Sequence, residues 1–287
     1  MSKRKQNAND ASDDEGSDIS MINVDFDFFD PNPEIDYQAI KHLLGQLFQR
    51  DAEMFHLHEL TELILSQPSV GTTIKTDGKE SDPYALLTVV NMHVHKDHPS
   101  IKALASYILE KSSTDPTFHN HIQGLFSQTE KHVGLIICER LINMPVETVP
   151  PMYRMLTEEL KNAISQNAPF NFTDFIIISR TYHLTEQEES FLINTATTKS
   201  ANKKRSKKAR EPSEEARPAD GLYDFHPEDV HIKAVSSSCA DYKFTTAPSE
   251  PRDKESFGLD TRGRVMLVPS TRFEELVNRI SEAYAVG

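Results

Sequence analysis

Two stretches of this chain carry no polar side chain. Val133-Gly134-Leu135-Ile136-Ile137-Cys138 and Phe175-Ile176-Ile177-Ile178 are apolar at every position. A strand of that kind offers water no face, so it belongs in the middle of a sheet covered on both sides. This excludes a sheet with one wet face and demands helices above and below it.

The rest of the sequence supplies them. Ile40, Leu43, Leu44, Leu47 and Phe48 fall at i, i+3, i+4, i+7 and i+8, the apolar stripe of a helix. Similar spacing predicts helices near 55–65 (Leu57, Leu60, Ile64), over 99–111 opening at Pro99, and over 117–127. Another follows Pro150-Pro151, with Met152, Met155, Leu156, Leu160, Ala163 and Ile164 on one face. Thr271-Arg272-Phe273-Glu274 has capping-box spacing and opens a last helix through Leu276, Ile280 and Tyr284. Strands are expected at 22–28, at 70–76 before the Asp77-Gly78 turn, at 86–95, at 230–233 and at 265–268. Pro33, after the Asp30–Asn32 turn, is read as a first helical residue. Interleaving of this kind predicts an α/β (α+β) fold, a single mixed β-sheet flanked by helices, over 21–287.

Charge is unevenly placed. Among 287 residues, 44 acidic side chains face 31 basic ones, a net −13. Residues 1–20 read as a disordered acidic tail, in which Ser12 stands before Asp13-Asp14-Glu15 as a phosphorylation candidate. Residues 195–220 read as a disordered basic insertion holding Lys203, Lys204, Arg205, Lys207, Lys208 and Arg210. Such a run is the form an import receptor recognises, so it is expected to be a nuclear localisation signal. Without those six cations, 25 remain against 44 anions, −19. The acidic body argues against general nucleic-acid binding; direct binding of RNA through 203–210 stays open.

Recognisable catalytic chemistry is missing. The chain has no phosphate-binding G-x-x-x-x-G-K-[ST], no G-x-G-x-x-G, no G-x-S-x-G and no R/Q-x-x-G-x-G/A loop for coenzyme A. His56/His58, His93/His95 and His119/His121 are i, i+2 pairs without the third and fourth ligands zinc wants, and His58-Glu59 starts no H-E-x-x-H. Cys138 is expected in the core and Cys239 nearer the surface, and Glu158-Glu159 on a solvated face. No catalytic residue, metal or cofactor is assigned. No apolar run reaches the length of a membrane span.

Several stretches, in order and spacing, resemble one family. They are Val70-Gly71-Thr72-Thr73-Ile74-Lys75 with Asp82-Pro83-Tyr84-Ala85, Gly134 through Pro145 with its Glu139-Arg140-Leu141-Ile142-Asn143, Pro150-Pro151-Met152-Tyr153, Ile178-Ser179-Arg180-Thr181-Tyr182, and Phe225-His226-Pro227-Glu228-Asp229. This set is similar to the BCCIP family, its fungal Bcp-type members most, from about residue 20 to the last helix. The resemblance implies a fold like that of GNAT acetyltransferases without demonstrated acetyl transfer. It implies a non-enzymatic escort in nucleus and cytoplasm, tied to nuclear export, protein transport, actin organisation and vesicular transport. The implied partners are a basic large-subunit ribosomal protein and, as export cargo, a phosphatidylinositol phosphate kinase. A cryptic acyltransferase and an RNA-binding ribosome-assembly factor are the alternatives.

Overall fold

In a computed structural model, describing residues 25–67, 69–190, 218–246 and 259–284, the two apolar stretches lie side by side at the centre of an eight-stranded sheet. In chain order the strands are β1 (Asp27–Phe29), β2 (Thr72–Lys75), β3 (Ala85–Asn91), β4 (His132–Arg140), β5 (Phe172–His183), β6 (Leu222–Asp224), β7 (Ser238–Tyr242) and β8 (Asp260–Pro269). Across the sheet they run β1-β2-β3-β4-β5-β8-β7, with β6 also on β5. Every pairing is antiparallel except β4 with β5.

Alternation sends successive side chains of the central strands to opposite cores. Leu135, Ile137, Ile176 and Ile178 enter one core, with α1 (Tyr37–Phe48), α2 (Leu57–Leu65), α3 (Pro99–Ser112) and α4 (Pro116–Ser127). Ile136, Phe175 and Ile177 enter the other, with α5 (Val149–Ser165), α6 (Asp229–Val235) and α7 (Phe273–Tyr284). Each fully buried Leu or Ile adds about 1.5–3 kcal/mol, and both cores draw on the same strands. The close fit shows at Gly134, where a Cβ would lie 2.7 Å from Val89 Cγ2 and 3.0 Å from Phe175.

Several expectations need correction. The segment 230–233 is helix, not strand: Asp229, Ile232 and Val235 are its buried side, and Val230 points outward. The strand expected to reach His95 stops at Asn91, whose Oδ1 accepts the backbone N–H groups of His93 and Val94 and turns the chain. His93 and His95 therefore do not share a strand face. Helix α1 begins at Tyr37 rather than Pro33, because the Asp36 carboxylate closes a turn onto the Asn32 N–H and is held by buried Lys75 at 2.6 Å. The helix expected near 55–65 starts at Leu57, because left-handed His56 breaks it from a preceding 3-10 segment, Gln49–Phe55. Pro150 and Pro151 lie within the first turn of α5, and Ile164 is exposed. Cys239 lies in β7, where burial pushes its thiol up to about 11. Glu159 is no solvated carboxylate; it accepts hydrogen bonds from the Gly71 N–H and the Thr72 hydroxyl, both at 2.9 Å.

Candidate functional site

The parallel pair β4–β5 separates along its length. Pairing runs from His132↔Phe172, through a register shift before Val133, to Ile136↔Ile177 and then stops. Strand β4 continues beside β3 to Arg140, and β5 continues beside β8 to His183. On the edge that β4 has left, β6 pairs with Thr181–His183. Open α/β sheets commonly bind ligands at the carboxyl ends of strands that part in this way. Here the chain fills the gap with its own residues.

Alternation carries Glu139 and Arg180 to the α1 side, and Arg140 and Ser179 to the α6 side. On the α1 side, Arg180 donates to both Glu139 oxygens, from Nε at 3.0 Å and from Nη2 at 2.8 Å. Gln46 of α1 donates to Glu139 Oε1 at 2.9 Å and to the Arg140 carbonyl at 2.8 Å. His226 Nε2 comes within 3.2 Å of Glu139 Oε1, a close polar contact outside hydrogen-bond alignment. The Arg180 guanidinium lies over the Phe225 ring, 3.8 Å from its centre, and the Arg180 carbonyl accepts the Phe225 N–H. On the α6 side, Arg140 grips Glu228 with two nitrogens, and Ser179 donates to Asp229. The segment Phe225–Asp229 thus threads the gap, with His226 toward one core and Glu228 and Asp229 toward the other.

Gln46 is half-buried, and the other seven polar groups of this clamp are buried; Glu139 is 1% exposed and His226, the most exposed of the seven, 6%. Burial opposes charge on Glu139, but His226 and Arg180 outweigh it and hold the carboxyl below its ordinary range. Arg140 is likewise opposed by burial, yet Glu228 raises it further. Asp229 goes the other way, pushed up to about 7 by burial, with His226 pulling it down and Glu228 adding to the rise. A substrate could reach these groups only if 222–229 left the gap. Chemically the arrangement can hold two strands at a fixed separation; it presents no free nucleophile or base.

Matching residues in the sequence were legible as distinctive stretches, but not as one site. Charges closing two otherwise apolar runs, Glu139-Arg140 after the first and Arg180 after the second, were the available signal. Of the residues assigned from sequence, Lys203, Lys204, Arg205, Lys207, Lys208, Arg210 and Ser12 lie outside the described residues. The histidine pairs do not converge on metal geometry: among the described residues no group of three His, Cys, Asp or Glu could hold an ion. Nor is any described helix long and apolar enough to cross a membrane. Burial pushes the Cys138 thiol well above its ordinary range.

The clamp is built from the same stretches that resembled a family, and comparison with known proteins decides that resemblance. The BCCIP family model matches residues 21–232. The chain belongs to the BCCIP family. Protein bcp1 of Emericella nidulans is 43% identical over 271 residues, covering 92% of this chain and 89% of its own. Protein bcp1 of Schizosaccharomyces pombe is 41% identical, covering 93% and 92%. The crystal structure of BCP1 from Saccharomyces cerevisiae has a TM-score of 0.61 at 24% identity, covering 94% of this chain and 93% of that one. It shows that the mixed sheet flanked by helices is a BCCIP-family fold; the likeness to acetyltransferases expected from sequence is not among these findings.

Proposed function

We propose that this BCCIP-family protein is a non-enzymatic escort for a basic client, with a large-subunit ribosomal protein as the client class. The observation that carries this reading is the sealed gap between β4 and β5. An acyl carrier would need that crevice, and residues 222–229 occupy it with paired, buried charges. Outside its basic run the chain is acidic. The body stands at −19 once the basic run is set aside, and such a field attracts a cationic ribosomal protein and speeds its encounter. RNA, more densely charged, can then displace the escort. Shuttling between nucleus and cytoplasm, with import through 203–210, suits delivery to a nuclear assembly site, and export of a lipid kinase would be a separate cargo task.

Affinity purification at two salt concentrations tests the reading. A basic ribosomal protein is expected to co-purify at low salt and to be lost at high salt, since screening shortens from about 30 Å at 0.01 M to about 3 Å at 1 M. Recovery of no basic protein at low salt would overturn it. Heat or thermal stabilisation on adding acetyl-CoA would favour the acyltransferase instead.

A further inference from the structure

The opposite end of β4 carries a different kind of polarity. A cavity of about 560 Å³ opens between the turn after β3, the first turns of α3, the end of α4 and His132. Lys96, Lys102, His93 and His132 line it over an apolar floor that includes Met92 and Ile101. Among the described residues, no Asp or Glu lines it. In a chain of net −13 this is a local reversal of sign.

Hydrogen bonds fix how the two imidazoles present themselves. The Val133 N–H donates to His93 Nδ1, so His93 carries its proton on Nε2 and gives it to the Leu125 carbonyl, both at 3.1 Å. Burial lowers the His93 pKa, so this ring is a neutral wall. Asn91 cannot be reversed, because its Oδ1 already accepts two backbone N–H groups. Its Nδ2 therefore donates to His132 Nδ1 at 2.9 Å and leaves the proton of that ring on Nε2. The rings stack with planes 4° apart. His132 Nε2–H has no acceptor among the described residues, and Lys96 has no ion-pair partner among them. Lys102 reaches Asp97 at 3.5 Å, but both side chains are mostly in water, where such a pair is worth little. The positive end of the α3 dipole adds to the field.

Apart from the exposed Lys102–Asp97 contact these donors meet no anion among the described residues, and they are set beside an apolar floor and beside Val94, which is 47% exposed at the cavity. We propose that this cavity binds an acidic segment of a partner polypeptide. A carboxylate would sit among Lys96, Lys102 and the His132 N–H, with a neighbouring aliphatic or aromatic side chain on Met92, Ile101 and Val94. Single-stranded RNA would instead ask for a track of cations with open rings on which bases stack. The site is independent of the escort reading, which concerns a basic client and the acidic body.

Fluorescence anisotropy with the full chain tests it, using a fluorescein-labelled peptide alternating Asp and Glu with Leu and Phe, at about 50 mM salt. Binding is expected, with Lys96→Glu/Lys102→Glu weakening it at least ~10-fold and Lys96→Arg/Lys102→Arg retaining it. Both positions changed are surface cations, and circular dichroism checks that the fold survives. No binding at about 1 mM peptide, or equal affinity in the charge-reversed variant, overturns the proposal. So does polyuridine that binds, and is lost in the charge-reversed variant, where the peptide does not bind.

Discussion

The two ends of β4 are both polar, and they treat charge in opposite ways. At its carboxyl end, Glu139 and Arg140 are buried, and each meets an opposite charge delivered by a distant part of the chain. At its amino end, His132 stands with Lys96 and Lys102 around an open cavity, without comparable counter-charges. Buried charge must be matched or the fold pays several kcal/mol per ion. Exposed charge costs little and stays available. The first end therefore belongs to stability and the second to binding.

Substitutions at the two ends should separate these roles. The largest effect is expected for Glu139→Ala, which leaves Arg180 buried without its acid: about 3–5 kcal/mol of stability lost, read from the midpoint of urea unfolding. A small loss there would mean that the clamp is wet and not a structural tie. Between the ends, Gly134→Ala forces a methyl against Val89 and Phe175 and should cost about 1–3 kcal/mol by the same measurement.

Asp229 gives a pH test of the clamp. Its folded pKa, about 7, lies above the unfolded value near 3.9, so the native state holds the extra proton between them. Its contribution to stability is full below about pH 4 and is lost as pH rises through about 7. Asp229→Asn should remove that loss, so the variant gains on the wild type from pH 5.5 to pH 8 in paired unfolding curves; a pH-independent difference would sink the assignment. The smallest effect belongs to the other end. Lys96→Glu/Lys102→Glu should change stability by no more than about 0.5 kcal/mol, because these side chains make no buried pair.

How much of this was readable depends on distance along the chain. The central strands announced themselves, since a run such as Leu135-Ile136-Ile137 has only one use in a sheet. The stripe of α1 was equally plain, and all five of its apolar residues are buried. Short patterns misled. Over four residues Val230-His231-Ile232-Lys233 fits a period of two as well as a turn of helix, and only the burial of Asp229 and Val235 decides it. After Asn91 the alternation of Met92 and Val94 with His93 and His95 continues, while the backbone does not, because one side-chain amide caps the turn. The clamp was hidden for a different reason. Its partners are 41 and 88 residues apart, and no local pattern records a pairing at that range.

That range has a consequence in time. Arg180 follows Glu139 by 41 residues, about 2–8 s of synthesis, separated by one helix and its loops. Arg140 must wait 88 residues for Glu228, about 4–18 s at typical rates of elongation. From His183 to Glu228, about 2–9 s of that interval, the two central strands are made and the wedge between them is not. The nascent chain exposes a cationic, half-finished groove, and the segment Phe225–Asp229 acts as the closing step that turns it into a core.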